Sequence, residues 1–283
     1  MAAQPVSFAT SSRQRSALRI LLPLGVFAAA IGAWEIYVRA QGIPPYILPA
    51  PSLIASTMMS DWPLLSASLL VTLKTTLMGL VLAVLGGVML AVCLSLSRIV
   101  EYSLYPFAVV LQVTPVIAIA PLLLIYMPQD LAVLACAWLV AFFPILSSTM
   151  LGLQSVDRNL LELFRLYGVP SANTVSSRLK VRLKALWYLR RPAALPAFLA
   201  GLRIAGGLSL IGAVVAEMAA GSAGAGSGLA YRIIESQYRL NIPRLFAALV
   251  LLAAAGVTLF LLLAALSHVL LRRWHESALT RDA

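Results

Sequence analysis

Charge is scarce in this chain. Of 283 residues, Asp and Glu together supply 10 and Lys and Arg 21, so only 11% are charged, where a soluble domain carries about 25%. That shortage excludes an ordinary water-facing surface. The two histidines, His268 and His275, and the two cysteines, Cys93 and Cys136, have no metal-ligand spacing, so neither a structural metal nor a disulfide framework is expected. The chain has no H-E-x-x-H, no G-x-S-x-G, no G-x-x-x-x-G-K-[ST] and no carboxylate pair inside an apolar run. Hydrolytic chemistry, nucleotide hydrolysis and a resident cofactor are therefore not expected of it.

What remains is apolar. Hydrophobic residues make up 61% of the chain and the mean hydropathy is +0.94. Crossing a bilayer as a helix takes about 20 mostly apolar residues, and six windows meet that length: Ala17–Tyr37, Leu77–Ser95, Leu104–Met127, Leu131–Leu153, Ala193–Ala220 and Leu245–Leu271. Runs of this length predict helices, since barrel strands would be short and alternating. The second is expected to begin earlier, near Ser68, with Lys74 snorkelling to the interface. The fold class read from the pattern is an all-α membrane protein of six transmembrane helices.

Charge then orients the spans. With the N-terminus in the cytoplasm, the inside segments 1–19, 96–103, 154–192 and 272–283 together carry +10 and the outside segments +1. This is the positive-inside bias, and it predicts that both termini are cytoplasmic. It also accounts for the net +11 without a nucleic-acid partner. Residues 1–16 read as a disordered cytoplasmic N-terminus, 17–271 as the transmembrane domain and 272–283 as a cytoplasmic tail. Arg13, Arg15 and Arg19 before an apolar run resemble a signal peptide, but the run continues through Trp34, which favours an uncleaved first span.

Between the spans, Gly42-Ile43-Pro44-Pro45 and Leu48-Pro49-Ala50-Pro51 are turn signals, and Ser52 is placed to cap a surface helix over Leu53–Met59. Gln112-Val113-Thr114-Pro115 and Pro121 interrupt the third span. Each proline removes a backbone donor and kinks or breaks a helix, and the freed carbonyls need neighbours or a wet cavity. Gln112, Thr114, Pro115 and Pro121 are therefore candidates for a pathway or gate. The fifth span is rich in small residues, from Ala200 and Gly201 to Gly212 and Ala213, which predicts close helix packing. It also holds Arg203 and Glu217. Intramembrane charges are functional candidates, and at about 1.5 Å per residue these two are roughly 21 Å apart, too far to pair. The string Gly221–Gly228 reads as a flexible or re-entrant outer loop rather than a phosphate cradle. Leu229–Tyr238 reads as a short amphipathic helix with Arg232 and Glu235 exposed.

The longest polar stretch, 154–192, carries eight Lys and Arg against Asp157 and Glu162. Within it, Glu162-Leu163-Phe164-Arg165-Leu166-Tyr167-Gly168, followed later by Pro192, resembles the cytoplasmic "EAA…G…P" loop of ABC importer permeases. Other matching stretches are Ile47-Leu48-Pro49-Ala50-Pro51, Gln112…Pro115…Ala118…Pro121, Ala141-Phe142-Phe143-Pro144-Ile145, Leu195-Pro196 with Gly201-Leu202-Arg203, and Val215-Ala216-Glu217. In this order they resemble a binding-protein-dependent ABC importer permease of the nitrate/sulfonate/taurine type, from about Leu18 to Trp274, with the type I importer permease fold.

The resemblance implies a homodimer of permeases in the bacterial inner membrane, each docked on a cytoplasmic ABC ATPase. A periplasmic or lipoprotein binding protein would deliver a small polar or anionic organic solute, such as nitrate, a sulfonate or a pyrimidine vitamin precursor. It assigns Glu162, Arg165, Gly168 and Pro192 to the ATPase-coupling loop, and implies no enzyme activity in this chain. The loop itself predicts a helix near Leu160–Tyr167 capped by Gly168. One departure stands out. Gly168 and Pro192 are 24 positions apart, about twice the family's usual spacing, with Ser171–Lys184 as the extra stretch. The alternative reading is a six-helix secondary carrier or channel. Such carriers place several ionisable groups at mid-membrane, whereas here only Arg203 and Glu217 compete for that role.

Overall fold

The computed structural model describes residues 12–168, 181, 183–221 and 226–272. Among them every regular element is helical: α1 (Ser12–Ala40), α2 (Pro51–Ser60), α3 (Trp62–Leu96), α4 (Arg98–Val113), α5 (Val116–Tyr126), α6 (Gln129–Gln154), α7 (Arg158–Gly168), α8 (Arg191–Ala220), α9 (Leu229–Tyr238) and α10 (Ile242–Leu271). Five stretches are long and apolar enough to cross a membrane alone, namely Leu21–Ala40, α3, α6, Leu183–Ala220 and α10. The expected third span is instead a pair, α4 and α5, bent by 98°. Counted as one broken span, the pair makes six. α1 begins at Ser12, earlier than the boundary expected at 17, and the N-terminal eleven residues lie outside the described ones, as do 273–283.

The chain divides into two compact units, the first formed by residues 1–62 with 236–247 and the second by 63–235 with 248–283. In the first, α1 closes with Gly42 at φ +58°. The Ile43 amide donates to the Val38 carbonyl and the Gly42 amide to that of Arg39, so the turn signal is used as a left-handed glycine cap. The start of α2 corrects an expectation. Ser52 does not cap it; Ala50 is the N-cap residue, Pro51 opens the helix, and Ser52 lies inside. The Ser52 amide and hydroxyl both donate to the Glu35 carboxylate, at 3.0 and 2.7 Å, and Arg39 donates to it from one turn along α1 at 2.5 Å. A carboxylate from another helix thus meets the positive end of α2. Pro at the first helical position left no local need for a serine cap. In the same unit Arg244 pairs with Asp61 at 2.5 Å, and the rings of Trp34 and Phe246 lie 5.8 Å apart.

The second unit is built on α6 and α8, which pack along each other more extensively than any other helix pair. Small residues permit this approach. A Cβ on Gly212 would lie 2.7 Å from the Cys136 carbonyl oxygen, one on Gly152 would lie 2.7 Å from the Ala194 backbone, and one on Gly201 would overlap Ser148. α3 joins in the same way, with Gly79 against Ala137 and Gly87 against Ile145. Apolar clusters fill the remaining space: Leu80, Ala83, Ala141, Ile145, Leu199, Leu202 and Ala205 in one, and Ala91, Leu94, Phe143, Leu146, Met150 and Leu153 in another.

Candidate translocation and coupling sites

The break in the third span falls where the sequence places it. Thr114 (φ −68°, ψ 122°) and Pro115 (φ −69°, ψ 119°) are both extended; at Thr114 the following proline pushes the backbone out of the helical region. The Thr114 hydroxyl donates back to the Val110 carbonyl at 2.8 Å, closing the end of α4. Pro121 does not break the chain; it lies within α5. Gln112, Pro115 and Pro121 are exposed in the single chain and Thr114 is half-buried. Their apolar neighbours Val113 and Ile117 are also strongly exposed.

Glu217 has a different setting. It is 6% exposed, and the Thr72 hydroxyl bridges both its oxygens at 2.9 and 3.0 Å. The same Thr72 oxygen accepts from the Leu229 amide at 2.9 Å, while the Ala230 amide donates to Glu217 Oε2 at 3.2 Å. Thr72 and Glu217 therefore satisfy the first two amides of α9, which no intrahelical carbonyl can reach. A Cβ at Gly228 would overlap the carboxylate, so the loop can enter here only as glycine. The seam continues along α3 and α8: Thr76 donates to the Thr72 carbonyl, and Ser209 to that of Thr76, at 2.8 and 2.9 Å. Beside it opens a cavity of about 340 Å³ lined by Lys74, Thr75, Asp130, Glu217, Ser227 and Tyr231, among others.

α9 matches its expected bounds, but two of its residues correct the reading. Arg232 and Glu235 are not exposed: their side chains are 13% and 14% accessible and pair at 2.8 Å, and Arg232 Nε donates to Ser68 at 3.0 Å. Amphipathic spacing cannot tell a solvent-facing charge from one folded against a neighbouring helix. Ser68, Thr72 and Thr76 were missed by the sequence reading. Their signal was visible as three hydroxyls at four-residue intervals in a mostly apolar helix, which puts them on one face.

Arg203, in the middle of α8, is half-buried, and its Nε is enclosed with no hydrogen-bond partner among the described residues. The structure does not bring it to Glu217, nor to the α4–α5 break. On the polar loop, α7 forms over the expected stretch, with Glu162 exposed and Leu160 and Leu163 each more than half exposed. Gly168 is its last residue, and the side chain of Arg165 and most of the extra stretch Ser171–Lys184 lie outside the described residues. Pro192 sits at the start of α8, directly after one π-helical turn, Leu186–Arg190. A proline clashes with the carbonyl four residues back, and a turn widened by one residue relieves that clash. Arg190 reaches from this turn to the Ser95 carbonyl at 3.1 Å.

Comparison with known proteins gives a consistent result. Residues 83–276 match the family model described as the inner membrane component of binding-protein-dependent transport systems. The chain is 33% identical to a probable ABC transporter permease protein of Haemophilus influenzae, over 86% of this chain and 94% of that one. It is 33% identical to a formylaminopyrimidine transport permease protein of Halalkalibacterium halodurans, over 89% and 95%. It is 34% identical to a riboflavin transport system permease protein of Chloroflexus aurantiacus, over 86% of each.

Proposed function

Because the chain belongs to the inner membrane components of binding-protein-dependent transport systems, and so is the membrane permease subunit of an ABC importer, we propose how it works and what it carries. Two copies form the pathway across the bacterial inner membrane. Both termini and the 154–192 segment face the cytoplasm, as the charge bias requires. A separate ATPase seats α7, and a binding protein delivers solute from the opposite side. The observation that carries this reading is α7 itself, a helix of 11 residues whose Leu160 and Leu163 stand exposed beside Glu162. Apolar side chains on a polar helix outside the spans fit the groove of a partner. Glu162, Arg165 and Gly168 belong to that contact, and Pro192 sets the widened turn that joins it to α8.

Movement of the docked ATPase reaches the pathway through α8. The α4–α5 break, with Gln112, Thr114, Pro115 and Pro121, serves as the gate, and Arg203 lies on the path. Glu217 acts at one remove, by holding the first turn of α9. For the solute we favour a small nitrogen heterocycle of the vitamin-precursor kind over nitrate or a sulfonate, since relatives at 33% and 34% identity are named for formylaminopyrimidine and riboflavin.

Reconstituted with its ATPase and binding protein, the permease should accumulate a labelled pyrimidine precursor only when ATP is present. Gly168→Val should lower that uptake at least tenfold and reduce the ATPase that co-purifies, because a β-branched residue resists the cap geometry glycine accepts. Membrane yield should be unchanged. Uptake driven by an ion gradient without any ATPase would instead establish a secondary carrier. Sulfonate uptake at equal or higher rate would reject the heterocycle.

A further inference from the structure

A large groove, about 870 Å³, runs between α3, α6 and α8 in the second unit. Its walls are Val84, Leu85, Val88 and Met89 from α3, with Leu195 and Phe198 from α8. Leu85 and Met89 are each more than 60% exposed, so the groove is open to the hydrocarbon surrounding the chain. Two observations make it more than the ordinary lipid-facing side of a span. Trp187 and Arg191 lie at one end, with the Arg191 guanidinium 4.2 Å from the centre of the Trp187 ring. No carboxylate among the described residues pairs with Arg191, which is exposed.

We propose that this groove is a phospholipid-binding site: an acyl chain lies between α3 and α8, and the phosphate sits on Arg191. Charge complementarity selects the occupant. A guanidinium stacked on an indole at the mouth of an apolar slot recognises a phosphate through its remaining N–H groups, and tryptophan marks the headgroup level of a bilayer. From Trp187 to Phe198 the helix rises roughly 16 Å at about 1.5 Å per residue, about half of a hydrocarbon core near 30 Å thick. One chain of one leaflet therefore spans it. Because Arg191 and Trp187 flank Pro192 and the π-helical turn, an occupant would brace the start of α8.

The test is native mass spectrometry of the complete transporter, extracted in a mild detergent and washed extensively. The wild type should retain one phospholipid mass per permease chain. Arg191→Gln should lose it, Arg191→Lys should keep part of it, and Val88→Trp, which fills the slot, should also lose it. Thermal melting in detergent checks that each variant remains folded. Two results would overturn the proposal. One is a washed wild type that carries no phospholipid, or variants that retain as much as the wild type. The other is efficient chain-to-chain cross-linking from Met89→Cys in a Cys93→Ser background, which would mean that a second copy fills the groove.

Discussion

Pro115 and Pro144 both lie in apolar windows of spanning length, yet one breaks its helix and the other does not. At Pro115 the chain turns by 98° and two residues become extended. At Pro144 the helix α6 runs on from Gln129 to Gln154. The local chemistry is the same: each ring removes a donor and crowds the preceding turn. The flanks differ. Phe143, Ile145 and Leu146 beside Pro144 are each at most 5% exposed and belong to the packed clusters, whereas Val113 and Ile117 beside Pro115 are more than 70% exposed. Tertiary contact surrounds α6 at its proline, while at the third span Val116 and Ala120 pack against Val133, Cys136 and Ala216 but Val113 and Ile117 face outward. Packing is one influence and not the rule: Pro23, Pro106 and Pro121 also lie within continuous helices, although Leu22, Leu24, Phe107 and Leu122 beside them are more than half exposed.

That contrast can be broken most severely from the packed side. Gly201→Val would drive a branched side chain into Ser148 and wedge α8 away from α6, next to the residues that hold Pro144 in place. Overpacking of this kind costs about 1–3 kcal/mol, occasionally more. Most of the folded, monodisperse protein should be lost on size exclusion in detergent. A normal yield would show that the α6–α8 contact is not what keeps α6 straight.

Pro115→Ala addresses the open side. Alanine is favoured over proline in a helix interior by about 3 kcal/mol, enough to join α4 to α5. Yield should be normal, spin labels placed at Leu104 and Ile125 should move apart as the bend opens, and ATP-dependent uptake should fall at least tenfold. An unchanged distance would mean that packing, rather than proline, sets this break too. The smallest effect is expected of Pro144→Ala. With the helix already formed, thermal melting should shift upward by only a few degrees and uptake should be unchanged. A large loss of transport there would show that Pro144 has a role besides the one its packing suppresses.

The C-terminal end of α8 raises the same question with polar groups. Val215-Ala216-Glu217 marked a buried charge in the sequence, and its distance from Arg203 followed from helical rise. Its partners did not, because Thr72 is 145 positions away and the amides of α9 reach it only when the loop through Gly228 folds back. The hydroxyl stripe Ser68–Thr72–Thr76 was legible as a pattern, but a pattern of that sort names a face and not what the face meets. Arg232 and Glu235 failed for this reason: spacing made them a polar face, and α3 turned that face inward.

The sequence by itself determined the class of the protein. Long apolar runs, few charges and a basic bias on alternate segments follow from the cost of placing charge and unpaired backbone in hydrocarbon, and that cost acts on each segment separately. For the same reason α6, α8 and α10 lie close to their expected bounds, whereas α3 begins at Trp62, ahead of the start expected near Ser68. The motif residues Glu162…Gly168 carried the family, and the helix over them is local. Only the tertiary structure decided which proline breaks its helix, which helix end Glu35 meets, where Glu217 spends its hydrogen bonds, and that a groove remains open between α3 and α8. Each of those depends on contacts between segments far apart in the chain, where the energies of burial and pairing exceed any local preference.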